Sequence, residues 1–276
     1  MDLDALAEAA ACLEPLPASV TRLASLVSNG DPDLAEIAEI VGYDQALTAS
    51  LLRSANSSWS ASRTSITTVR DAVIRLGYGT VLSLALGVNV RKRMQQSLPE
   101  YGLAEGDLWR HSVAASLAAE VMPRHTRVRI PNEATTAALL HDVGKLVMGR
   151  FLDAAVLETL ERAQEQGGVS RRVAESEILG VHHGELGGLI AQSWGLPEAI
   201  TQGITYHHDP DECAEPITLA VHVADVIAKT IGAGNDDNTD PEASLFALEA
   251  LQLSPDQFET VSATVSERFE EVMRRY

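Results

Sequence analysis

Residues 138–150 read "ALLHDVGKLVMGR": a histidine and an aspartate side by side in an apolar run, with a lysine three positions on. An unpaired charge in a core costs several kcal/mol, so such groups must be neutralised, hydrogen-bonded or bound to a metal. The stretch predicts a buried helix over 133–151 that carries polar groups for a reason.

Working outward, nearly every periodic segment is helical. "LPASVTRLASLVSNG" (16–30) spaces apolar residues three and four apart and ends on glycine. "DLAEIAEIVG" (33–42) and "DQALTASLLRSANSS" (44–58) each open on an aspartate suited to an N-cap. "SITTVRDAVIRLGYGTVLSLALGVNVRKR" (65–93) reads as two helices broken at Gly77–Gly79. Further helices are expected at 104–122, 153–167, 170–179, 183–194, 197–206 and 216–232. Ser254 and Pro255 open a closing helix whose apolar face is Phe258, Val261, Val265, Phe269 and Val272. No segment alternates at period two, so the fold class is all-α. "SLPEYGLAEG" (97–106) breaks the pattern and "GAGNDDNTDP" (232–241) reads as a polar surface loop. These interruptions divide the chain into an N-terminal helical subdomain (13–100), a helical core (101–233), and an acidic loop with a C-terminal helix (234–276).

The 276 residues are 45% hydrophobic and 22% charged, the balance of a globular protein with a real core. No apolar run is long enough for a bilayer, and the acidic start "MDLDALAEAAACLEPL" lacks the basic opening of a signal peptide; no membrane association and a cytoplasmic location are expected. Cys12 and Cys213 form no CxxC pair and read as buried reduced thiols. The net charge of −18 repels phosphate backbones, so nucleic acid is the least favoured partner. The excess is uneven: residues 17–99 carry eight basic side chains, from Arg22 to Arg93, against six acids. Residues 31–56 superficially resemble a helix-turn-helix, but Leu47, Leu51, Leu52 and Ala55 read as core, and Arg53 is the one charged donor on the second helix.

The ionisable residues of the central region follow an order. His111 lies in "DLWRHSVAASLAAEV", with Asp107 four positions earlier on the same face. His141 and Asp142 come next, then His183, then His207–His208, then Asp225 one turn after His222. Imidazole and carboxylate suit Fe, Zn, Mn or Ni, and one or two ligands per helix is how bundles build metal sites. Taken singly, each histidine reads more readily as a hydrogen-bonded core residue than as a ligand; the collective order is what points to a metal.

The order His111, His141–Asp142, Asp225 resembles the H…HD…D signature of the HD superfamily of metal-dependent phosphohydrolases. His183, His207 and His208 resemble the extra ligands of its HD-GYP branch, and Asp107 falls where that branch carries an acidic ligand. Lys145 of "HDVGK" stands where such an enzyme holds a substrate phosphate. Residues 15–231 are similar throughout to the HDOD domain (HD-related output domain), through the leading Leu-Pro, Asp44 and Leu47, "LLRSANS", "AVIRLG" and "ESEILGVHHGELGGLIAQSWGLPEAI…HH". The resemblance implies an N-terminal helical bundle packed on an HD-like core, with one or two divalent transition metals held by His111, His141, Asp142, His183, His207, His208, Asp225 and Asp107. It also implies a bacterial signalling output that acts through a protein partner or, second, a nucleotide ligand. The alternative is a metal-dependent phosphohydrolase or phosphodiesterase acting on a nucleotide or cyclic dinucleotide, with Asp142 and Lys145 catalytic. Against it, "DPDECAEPITL" (209–219) replaces the glycine–tyrosine–proline segment of the HD-GYP enzymes.

Other residues have structural readings. Asn56–Ser57 is expected to satisfy a helix end or bridge to the next helix, and Trp194 with Pro197 to mark a packing point. His182 sits about 100° around a helix from His183 and is expected to face outward. His125 has no role, and His222 is expected to orient Asp225.

Overall fold

The structure is a computed structural model that describes residues 13–28, 32–57, 65–234 and 243–274. It is 71% helical, and among the described residues there is no strand beyond a single bridge between Leu98 and Leu103. Met1–Cys12 and 235–242 lie outside the described residues, and with them the acidic start, Cys12 and most of the 232–241 loop.

The N-terminal helices are α1 (Ala18–Ser28), α2 (Leu34–Gly42), α3 (Gln45–Ala55), α4 (Val69–Leu76) and α5 (Tyr78–Met94). Asp33 and Asp44 cap α2 and α3 by accepting from Ala35 N and Leu47 N. Asn56 satisfies the end of α3 and bridges to the segment before α4 rather than to that helix: its amide donates to Leu52 O and Ile66 O, and its Oδ1 accepts from Ile66 N, each at 2.8 Å. Gly77, at φ +79°, ends α4 and starts α5, which turns away by 111°. No single helix among the described residues is long and apolar enough to cross a membrane; this bent pair meets the length and composition test only when joined.

The central helices are α6 (Asp107–Val121), α7 (Ala134–Leu140), α8 (Lys145–Met148), α9 (Ala154–Gly167), α10 (Arg171–Leu179), α11 (His183–Ser193), α12 (Glu198–Thr205) and α13 (Pro216–Thr230). One difference from the sequence reading matters. The helix expected over 133–151 is interrupted at His141–Gly144, where the backbone bonds tighten to i→i+3 (Val143 N to Leu140 O, Lys145 N to Asp142 O, Leu146 N to Val143 O). The break falls where the packing is closest. Gly144 lies against the start of α11, where a Cβ would run into the His183 carbonyl and stand 2.7 Å from Gly187 N.

After α13 come α14 (Leu245–Ala250), which the sequence reading missed, and α15 (Pro255–Met273), opened by a Ser254–Gln257 capping box. Val261, Val265 and Phe269 of α15 are buried and Phe258 and Val272 half-buried, the expected face. One cluster of buried residues runs from Leu13 to Phe269, with α6 at its centre between α7, α13 and α15, and α5 against α7. Thr21 of α1 reaches the core by donating to the carbonyl of buried Trp194. Cys213 is half-buried rather than enclosed.

Candidate metal centre

Helices α6, α11 and α13, the His141–Gly144 turn and the residues just after α12 bring seven of the eight candidate ligands together. His141, His183 and His207 are fully buried; Asp142 is 2%, Asp225 3% and His111 7% exposed, and His208 is half-buried. They form two sets. In the first, His111 Nε2 lies 3.1 Å from His141 Nε2, 3.0 Å from Asp225 Oδ1 and 3.7 Å from Asp142 Oδ2. In the second, His183 Nε2 lies 2.8 Å from His208 Nε2 and 3.4 Å from Asp142 Oδ1, with His207 Nε2 4.0 Å from the same oxygen. Asp142 therefore turns one oxygen to each set.

Donor atoms about 2.1 Å from a shared ion at tetrahedral or octahedral angles stand about 3.0–3.4 Å apart, close to these spacings. Tautomers strengthen the fit. Nδ1 of His111, His141 and His207 donates to the carbonyls of Ala233, Ala138 and Ile204 at 3.0, 2.7 and 2.7 Å. The proton thus sits on Nδ1, and Nε2 of His111 and His141 oppose lone pair to lone pair, an arrangement that calls for a cation between them. His207 Nε2 is buried with no hydrogen-bond partner, and its lone pair suits coordination. Two ligand groups suited to an ion are thus assembled: His111, His141 and Asp142, and His183, His207 and His208.

The charge states agree. Burial alone would raise the Asp142 carboxyl, but Lys145, 2.9 Å away, and then His141, His183 and His111 hold it well below the usual range. Burial opposes Asp225 likewise; Lys229 at 2.8 Å and the His111 contact keep it ionised. Burial holds the His207 pKa well down, which keeps its lone pair available. His141 goes the other way: burial lowers it, yet Asp142 and Asp225 raise it on balance, so the field at this point favours positive charge. Ionised carboxylates and neutral imidazoles are the ligand forms a metal requires.

Asp107 stands apart. Its carboxylate accepts from Ala104 N at 2.8 Å in the turn that starts α6, and it belongs to neither set. His182 does not face outward: it is buried as the N-cap of α11, accepting from Gly184 N, because the chain is still extended there and helical angles do not apply. His222 does not orient Asp225. Its Nδ1 donates to His207 O at 2.8 Å and its Nε2 accepts from Ser244 N at 3.0 Å, so it ties the backbone behind His207 to the start of α14.

The sequence reading missed the groups behind the ligands. Glu175 of α10 accepts from His183 Nδ1 at 2.7 Å, His183 N at 3.0 Å and Tyr101 Oη at 2.8 Å. Burial would raise Glu175, but the His183 imidazole and these hydrogen bonds bring it down to about 2. Burial and the neighbouring Glu175 push the Tyr101 hydroxyl well up, so it remains a donor. Lys229 was readable at i+4 from Asp225; nothing local announces that Glu175 meets His183.

A family model for the HDOD domain matches residues 13–210. The chain belongs to the HDOD family. Its fold is that of an HDOD domain protein with unknown function from Geobacter sulfurreducens (24% identity, 98% of this chain and 97% of that one, TM-score 0.72). It is also similar to a Shewanella amazonensis protein called a "Putative phosphohydrolase" (25% identity, 95% and 93% of the two chains, TM-score 0.67). An uncharacterised Treponema pallidum protein is 23% identical over 259 residues; the HDOD chain spans about half the length of this curated relative (49%). Six of the seven converging residues, His111 through His208, lie within the HDOD match; Asp225 comes after its end, on α13.

Proposed function

We propose that this HDOD chain is a cytoplasmic signalling output whose core holds one or two divalent transition metals, and that it acts through a protein partner. His111, His141, Asp142 and Asp225 would hold one ion; His183, His207, His208 and the second Asp142 oxygen would hold the other. When bound, such a metal supplies Lewis acidity and, in this setting, ties α6, α11 and α13 together. The observation that carries the regulatory reading is the supply of donors: four side-chain groups converge on each set, as in closed structural sites, whereas a catalytic site keeps a position open to substrate. Lysines 145 and 229 already ion-pair with the two carboxylates.

The second reading, a phosphohydrolase acting on a nucleotide, is favoured by the bridging position of Asp142 and by Lys145 beside it. In it, Asp142 would orient the attacking water and Lys145 would steady a phosphate oxygen. Metal content of protein purified without a metal-affinity column tests the shared part. At least one transition-metal ion per chain is expected, and its loss in both His141→Ala and Asp142→Ala. A panel of phosphomonoesters and cyclic dinucleotides then separates the readings: turnover abolished by the same substitutions would replace the regulatory reading with the enzymatic one.

A further inference from the structure

A cavity of about 500 Å³ lies on the other flank of α6, walled by α3, α5, α7 and α15, and no residue of the metal sets lines it. Its size is that of a small-molecule site. Its back wall is the buried Trp109 indole, which Gly87 of α5 leaves uncovered: a Cβ there would come within 3.3 Å of the ring. The Arg91 guanidinium stands 5.9 Å over the same ring, and Arg53 faces the cavity from α3. A third arginine, Arg268, is offset by Glu120 at 3.0 Å. With Glu271 included, three arginines face two glutamates, a local positive excess in a chain of net charge −18.

The floor adds a polar requirement. Ser116 Oγ donates to Thr135 O at 2.9 Å, so its single proton is committed. The 3.0 Å contact between Ser83 and Ser116 must then have Ser83 as donor. Ser83, which lines the cavity, is left with acceptor lone pairs only.

We propose that this cavity is a second ligand site, for a small anionic aromatic molecule that carries an N–H or O–H donor. The ring packs on Trp109 beside Arg91, the anion is held by Arg91 and Arg53, and the donor meets Ser83. The site is independent of the metal reading, because its walls and charges exclude every proposed metal ligand.

The test is a fluorescence titration of the whole chain with 8-anilinonaphthalene-1-sulfonate, whose fused ring, sulfonate and N–H match the three features. N-phenyl-1-naphthylamine, without the charge, is titrated in parallel, and both series are repeated after chelation. One saturable site per chain is expected. Arg91→Gln and, at an exposed position, Arg53→Gln should each weaken the sulfonate about ten-fold, the scale of one charge-assisted hydrogen bond, while changing the uncharged probe by less than about two-fold. Gly87→Leu, which fills the space before Trp109, should abolish both. Non-saturable binding, or sulfonate affinity unchanged in both arginine variants, would overturn the proposal; if Gly87→Leu does not fold, the arginine pair alone decides. Loss of binding after chelation would show that the cavity is not independent of the metal and would equally overturn the proposal as stated.

Discussion

Four of the five imidazoles of the centre have their proton placed by a neighbour, in two cases a backbone carbonyl three residues back. His141 to Ala138 and His207 to Ile204 are local contacts of this kind, so their orientation was within reach of the sequence. The hydrogen bonds from His111 to Ala233 and from His183 to Glu175 are not, because only the closed bundle brings them together. Glu175→Gln should therefore keep the fold and lower metal affinity about 10–100-fold, as loss of an outer partner does, when read by competition with a chromophoric chelator. A second prediction concerns His182. Burial, then the neighbouring His183 and Arg172, lower its pKa to about 4, so the folded state favours the neutral cap while the unfolded chain takes a proton near 6.5. Its contribution is present above about pH 6.5 and is lost as pH falls toward 4. His182→Asn, which keeps a capping oxygen, should narrow the gap to wild type as pH drops through that window, measured as urea midpoints; a gap constant with pH would refute it.

At the level of elements, capping aspartates, glycine stops and apolar spacing were enough to place most helices within a few residues. Two features escaped. The short α14 follows a polar stretch of sequence and has one fully buried side chain within its span, Ala247, which leaves little periodicity to detect. The break at His141–Gly144 escaped because its residues keep helical backbone angles at both ends, and the reason for it lies on α11. Gly144→Ala should accordingly cost about 3 kcal/mol, at the upper end of overpacking, since backbone rather than a flexible side chain opposes the new methyl group. Gly42→Ala, at the end of α2 with open space around it, should be neutral or slightly stabilising. Chemical denaturation of the two variants side by side checks the contrast.

For the whole molecule, helical periodicity carried the all-α class and the family resemblance the expectation of a common site, while spacing alone could not bring five segments to one point. Asp107 illustrates the limit: the four-residue step to His111 is real, yet its carboxylate is used to cap Ala104 N. If the centre holds a metal, chelation should lower the melting temperature. Saturation at a thousand times the dissociation constant is worth about 4 kcal/mol, or about 10 °C in a chain of this size. Asp142→Ala, which faces both sets, should melt at the same temperature with and without chelator.

Helix α6 turns His111 toward one chamber and Trp109, Val113 and Ser116 toward another. The rod separates the two chambers without a side chain common to both. By thermodynamic reciprocity, any factor by which an aromatic anion changes the grip on the cation is returned, undiminished, as the factor by which the cation changes the grip on the anion.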